Sequence, residues 1–305
     1  MIALEAVAKT YRTLITRREV RALDNFSLTL SRGEVVGIAG PNGAGKSTLI
    51  SLIIGFLTPT SGSVRIDGRS PRAYVERTGV GYLPELPALP PRWTVREALI
   101  RRAVLGGRGA AATRRALELS AQLGLDEHLR KQVRQLSKGN LQRLGLGQAL
   151  LDNSDLLILD EPTHGLDPLW TQRFRELVTT LRRPDRLILV ASHNLDELER
   201  IADRVAIIHQ GRLQRVERPG AGGDAADSVR TWRLVLSPGQ PLPPGVLSGA
   251  EPVEGRDGAW RVQGTLADVN AELRRLLEAG GSVAAFGPEV GGLESAFRAA
   301  VGQQS

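Results

Sequence analysis

Apolar and polar residues alternate through IALEAVAKTY and again through ALDNFSLTL. This period of two predicts two strands joined by the basic stretch RTLITRREVR. EVVGIA is then a continuous apolar run of strand length, TLISLIIGFL holds apolar character over helical length, and SVRIDGRS reads as a further strand and turn. From Trp93 the period changes. TVREALIRRAVL opens at Thr94 with Glu97 three residues on, a capping-box start, and helical periodicity continues through AATRRALELSAQLGL and DEHLRKQVRQL. Strand character returns in DLLILDEP (155–162), RLILVAS (186–192) and RVAIIHQGRL (204–213), with helices between them. The pattern is that of a parallel α/β core interrupted by a helical insert. VERPGAGGDAADS, rich in Gly, Ala and Asp, reads as a linker. Beyond it TWRLVL, AWRVQG, TLADVNAELRRLLEAGG, SVAAFG and LESAFRAAV predict a small α/β module.

Composition narrows the class only a little. With 41% hydrophobic and 24% charged residues over 305 positions, the chain has the make-up of a soluble globular protein with room for a large domain and a smaller one. No apolar run approaches the length of a membrane span and MIALEAVAKTYR carries no signal-peptide pattern, so a cytoplasmic location is expected. The absence of cysteine excludes disulfides and thiolate metal sites, and the four histidines lack an HExxH-type spacing. A net charge of +7 suits nucleic acid or an anionic membrane surface, but arginines spread over solvated helix faces, as in TQRFRELVTTLRRPD, produce the same excess. Charge does not choose.

The chemistry begins at GPNGAGKST (40–48), which fits G-x-x-x-x-G-K-[ST] and lies between a predicted strand and a predicted helix. Glycines at 40, 43 and 45 let the backbone curl until N–H groups converge on one anion, and the helix that follows aims its positive end at the same point. Lys46 is one of only four lysines among 40 basic Lys and Arg residues. A compact ammonium fits inside a ring of amides where a planar guanidinium does not. The motif assigns Lys46 to the terminal phosphates and Ser47 to Mg²⁺. Downstream, DLLILDEP ends an apolar strand in Asp160 and Glu161, one carboxylate for the metal shell and one to polarise an attacking water. These features alone leave kinases, helicases and transport ATPases open; a GTPase would want N-K-x-D, which is not present.

Between them lies LSKGNLQR (136–143), followed by the helical run LGLGQALL. It resembles the signature sequence of ATP-binding cassette (ABC) ATPases, commonly L-S-G-G-Q. The resemblance covers residues 1–213 in the family's order, with GLDP (165–168) similar to the D-loop, His193 in VASHNLDEL to the switch histidine, and Tyr11 to the aromatic that stacks on adenine. Two departures stand out: the signature carries Lys138 and Asn140 where Gly and Gln are usual, and Glu85 stands where the Q-loop glutamine is expected, a variant seen in simple bacterial exporters.

The resemblance implies an α/β fold: a P-loop NTPase (RecA-like) core with an antiparallel β-subdomain and a helical insert at about 92–153, together residues 1–213. A linker over 214–229 and a small C-terminal α/β accessory domain over 230–305 follow, the latter resembling the domain appended to ATPases of ABC-2 type exporters. It implies ATP and Mg²⁺ as cofactors, with nucleotide contacts from Tyr11, Asn42, Gly43, Gly45, Lys46, Ser47 and Thr48, and from Ser137 and Gly139 of a second protomer in a head-to-tail dimer. Metal ligands would be Ser47, Glu85 and Asp160; catalysis would fall to Glu161, His193 and Lys46. The partners implied are separate transmembrane permease subunits, which would hold the chain at the cytoplasmic face of the membrane, with no nucleic acid. A soluble ABC-type ATPase acting on ribosomes or nucleic acid is the competing class; its members carry two cassettes per chain or a long coiled coil between phosphate loop and signature, and neither pattern occurs here.

Overall fold

The computed structural model describes residues 2–12, 19–105, 109–219, 230–237, 246, 249–253, 258–288, 293 and 297. They fall into two compact units that meet in sequence between Glu217 and Arg218.

The first unit opens with β1 (Ile2–Arg12) and β2 (Glu19–Leu30), an antiparallel pair. Their alternation resolves as expected, with Ile2, Leu4, Val7, Phe26, Leu28 and Leu30 buried on one face. β3 (Val35–Ala39) is buried at every position and leads through the glycine loop into α1 (Lys46–Ile53). That helix is shorter than the apolar run suggested, because the chain turns at Gly55 with φ +80°. β4 (Ser61–Ile66) completes a three-stranded antiparallel sheet, order β2-β1-β4. α2 (Pro71–Thr78), with Ser70 accepting a hydrogen bond from the Ala73 N–H, and the three-residue β5 (Gly81–Leu83) were not predicted.

The helical insert holds α3 (Val95–Leu105), α4 (Gly109–Gln122) and α5 (Lys138–Leu150). The capping box at Thr94 is present: the Thr94 N–H and hydroxyl donate to Glu97, and the Glu97 N–H donates to the Thr94 hydroxyl. DEHLRKQVRQL is not the helix its periodicity predicts. It forms two short 3₁₀ turns, Asp126–His128 and Val133–Gln135. The carbonyls of Leu129 and Lys131 accept the N–H groups of Arg96 and Val95, so the segment, besides closing its own short turns, satisfies the open start of α3.

After α5 come β6 (Leu156–Asp160), α6 (Pro168–Leu181), β7 (Leu187–Ser192), α7 (Leu195–Ile201) and β8 (Arg204–His209). RVAIIHQGRL is not one strand: it turns back at Gln210 and Gly211, both at positive φ, into β9 (Arg212–Glu217), which pairs antiparallel with β8. Residues 214–217, read as the start of the linker, therefore belong to the sheet, while 220–229 lie outside the described residues. The central sheet runs β5-β6-β7-β3-β8-β9, parallel except for β9. β6 and β7 are buried throughout, the unbroken apolar run expected of parallel strands covered on both faces. Ala39 pairs with Ser192 and Asp160 with Ala191, so three strands end abreast at one edge. In open α/β sheets the carboxyl ends of the strands are where ligands bind.

The second unit is a four-stranded antiparallel sheet, order β11-β12-β10-β13, built from β10 (Arg230–Leu236), β11 (Glu251–Pro252), β12 (Ala259–Gly264) and β13 (Val283–Pro288), with α8 (Leu266–Glu278) between the last two strands. Trp232, Leu234, Val262, Val269 and Leu276 form its core, and Trp232 stacks on Phe286. The rest of the predicted C-terminal segment, apart from 293 and 297, lies outside the described residues. Among the described residues no helix is long and apolar enough to cross a membrane.

Candidate functional site

The glycine loop leaves the end of β3 and turns at Gly43 and Gly45, whose φ values of +81° and +109° fall in the region that favours glycine. A Cβ at Gly45 would lie 2.5 Å from the Ala22 carbonyl oxygen, whereas one at Gly43 would meet nothing within 4 Å. The loop is therefore packed against protein at Gly45 and open at Gly43. α1 starts directly from it with no side-chain cap, so its first N–H groups face outward without an intrahelical acceptor. Lys46 is buried and its ammonium folds back over the loop, donating to Gly40 O at 2.7 Å and Pro41 O at 3.4 Å. Asn42 and Ser47 are exposed at the loop's tip and at the helix start.

Asp160 ends β6 and Glu161 follows it, adjacent buried acids that are costly without a cation or donors to meet them. Burial, reinforced by the charges of Glu161 and Glu85, pushes the Asp160 carboxyl up to about 6; the Ser47 hydroxyl and Lys46 ammonium offset this only in part. Glu161 adopts a positive φ of +48° and is held at both ends. Its carboxylate accepts from the Ser192 hydroxyl (3.2 Å) and the His193 N–H (3.0 Å), and lies 2.9 Å from His193 Nδ1 and 3.6 Å from Lys46 Nζ. Its carbonyl accepts from the His164 N–H and from Gln142 Nε2, each at 3.0 Å.

The structure thus brings Lys46, Ser47, Asp160, Glu161 and His193 together. Glu85 stands at the margin, half exposed, with Oε1 3.8 Å from His164 Nδ1. Tyr11 reaches the same helix start: its hydroxyl is 3.4 Å from Thr48 Oγ1 and its ring is partly exposed, with Lys9 Nζ 5.6 Å from the centroid. Ser137 and Gly139 open α5, where the Ser137 hydroxyl accepts the Asn140 N–H at 3.2 Å. No described hydrogen bond or ion pair joins these two to Lys46, Ser47 or Asp160. Sequence reasoning gave no role to Gln142 or His164. Almost every α5 position from Gln142 to Leu150 is buried, so periodicity singles out no face on which a polar side chain would stand out.

A family model described as "ABC transporter" matches residues 23–164. An ABC transporter ATP-binding protein of Nostoc sp. is 41% identical over 209 residues, 67% of this chain and 62% of that one. The bacitracin transport ATP-binding protein of Bacillus licheniformis is 36% identical over 199 residues, 63% of each chain. The match thus spans less than two thirds of both relatives. An ABC transporter ATP-binding protein of Bacillus subtilis is 30% identical over 312 residues, 99% of both chains. Among solved structures, a dimeric bacterial ABC transporter cassette superposes with a TM-score of 0.66 at 28% identity, covering 72% of this chain and 98% of its own.

Proposed function

This chain belongs to the ABC transporter ATP-binding family, and from that premise we propose that it is the ATP-binding and ATP-hydrolysing subunit of an ABC transporter, powering export through separate membrane subunits. The observation that carries the reading is the grip on Glu161. A carboxylate held by Ser192, His193 and Lys46 beside an uncapped helix start is placed to orient a water toward a phosphate lying on that helix.

In this reading Lys46 leaves its loop carbonyls to contact the terminal phosphates, the N–H groups from Gly43 onward cradle them, and the Tyr11 ring stacks on the base with Thr48 at its edge. Ser47 and Asp160, with Glu85, would hold Mg²⁺. Their hard oxygen donors fit that ion, which is ordinarily bound by one or two carboxylates together with substrate phosphates. The ion supplies positive charge that draws electron density from the phosphoryl oxygens. Glu161 accepts hydrogen bonding from the attacking water, and His193, in contact with its carboxylate, keeps it oriented. Ser137 and Gly139 serve the site of a second protomer, so that two nucleotides close a head-to-tail dimer and hydrolysis reopens it. The coupled membrane subunits dock near Glu85 and the α3 side of the insert. The export direction is supported by Glu85 at the Q-loop position.

Lys46 and Glu161 have different tasks here, so their substitutions separate. Lys46→Ala is expected to lose productive nucleotide binding. Glu161→Gln is expected to bind MgATP and hydrolyse it about 10²-fold more slowly or worse. Equal loss of binding in both, measured by titration with a fluorescent ATP analogue, contradicts the assignment.

A further inference from the structure

The signature end of α5 and the Glu161 backbone are tied together inside one protomer. Gln142 is buried to 4% exposure on α5, and its carboxamide donates to the Glu161 carbonyl at 3.0 Å, across 19 residues of sequence. A second tie lies beside it. Gly139 packs against the turn that follows Glu161 so closely that a Cβ there would sit 2.9 Å from Gly165 O. That turn is itself closed by the His164 N–H on the Glu161 carbonyl. The first turns of α5 and residues 161–165 therefore touch at two points.

The other end of Glu161 belongs to a different element. Its carboxylate is gripped from the end of β7, by Ser192 Oγ and the His193 N–H. Any displacement of α5 relative to the sheet pulls on the carbonyl while the carboxylate stays anchored, and so rotates a residue already at positive φ, a conformation that costs a non-glycine residue energy. Ser137 and Lys138, at the exposed tip of the same helix, are free to meet another molecule. Ser137 and Gln142 are five residues apart on one rigid rod, about 7.5 Å along its axis.

We infer that Gln142 is a positioning residue: it carries the engagement of the Ser137 end of α5 by a partner protomer's nucleotide to the Glu161 backbone of its own protomer, linking the two nucleotide sites of a dimer. This rests on the function proposed above, in which Ser137 serves the partner's site and Glu161 its own. The carboxamide is needed because it offers an N–H donor to a carbonyl; a side chain of equal length without that donor fills the space and transmits nothing.

The test is a double-mutant cycle on the full chain, assembled with its membrane subunits, using Gln142→Met and Ser137→Ala, singly and together. MgATP turnover is read as kcat and KM, and MgATP affinity is measured separately without turnover. We expect Gln142→Met to lower kcat about 10-fold with affinity within about 3-fold, and the loss in the double variant to fall short of the product of the single losses, because the part of the Ser137→Ala loss that runs through Gln142 is already gone. Losses that multiply independently, or full turnover in either single variant, overturn the inference while leaving the proposed function standing. Wild-type turnover no faster than that of Lys46→Ala overturns the proposed function, and the inference with it. Should the methionine variant fail to fold, Gln142→Leu, which also lacks a hydrogen-bond donor, is read in the same way.

Discussion

At Asp160 burial raises the carboxyl from 3.8 to about 6, with the charges of Glu161 and Glu85 acting in the same direction. Between about pH 4 and pH 6 the folded chain holds a proton that the unfolded chain has released, so ionisation of Asp160 costs stability as pH rises and costs nothing below the unfolded value. The cost above pH 6 is on the order of 2–3 kcal/mol at most. In nucleotide-free, metal-free protein, Asp160→Asn is therefore expected to gain stability over the wild type progressively from pH 4 to pH 7, as read by urea midpoints. A difference independent of pH would show that Asp160 is not the group that titrates. Acids such as Asp24, lowered by hydrogen bonding from Arg212, slope the other way but cancel in this comparison. The grouping of Lys46, Ser47, Asp160 and Glu161 was legible because each is fixed by local spacing to the end of a strand or the start of a helix. The bond from Gln142 to the Glu161 carbonyl was not, because it depends on how closely α5 approaches β6, and no local pattern records that distance.

Among the elements, legibility followed where backbone hydrogen bonds close. α3 was legible because its capping box is satisfied within four residues, from Thr94 to Glu97. DEHLRKQVRQL departs from the helix its periodicity predicts because two of its carbonyls serve α3, and β9 is hard to tell from β8 because only the two residues Gln210 and Gly211 separate the strands. Arg186 presents a comparable long-range case. It is buried just before β7 and, among the described residues, its hydrogen bonds reach no carboxylate; its guanidinium donates to Ser154 O, Leu181 O, and both Asn153 O and Oδ1. These acceptors lie just past the end of α5 and at the last residue of α6, the negative ends of two helices. A planar fork reaches three separate carbonyls; a lysine ammonium, a single point of charge, does not. Arg186→Lys and Arg186→Met are both expected to destabilise the fold by roughly 2–4 kcal/mol, because each leaves buried carbonyls unsatisfied. Full retention of stability in the lysine variant, measured by chemical denaturation, would show that charge alone suffices.

For the molecule as a whole, the proposed function makes one strong demand: α5 must present its tip to something outside its own protomer. Ser137 and Lys138 are exposed, and neither has a described hydrogen bond or ion pair to the Lys46 loop. An exposed helix start with a lysine at its first position, beyond the Asn140 N–H that the Ser137 hydroxyl already accepts, suits a phosphate supplied by another copy. If that copy is this same chain, Glu161→Gln should trap MgATP and shift the protein from monomer to dimer in light scattering, since binding is kept and hydrolysis is slowed. Adding Ser137→Arg should abolish that dimer, because a long side chain occupies the space the γ-phosphate needs. ATP binding by the resulting monomer should survive, since Lys46 and its loop are untouched. A Glu161→Gln protein that binds MgATP yet stays monomeric counts against a homodimer, and repeating the measurement with the membrane subunits present separates that outcome from a dimer that needs them. An ATP-dependent dimer that persists in the Ser137→Arg double variant removes residues 136–140 from the composite site, and with them the mechanism in which one protomer completes the other.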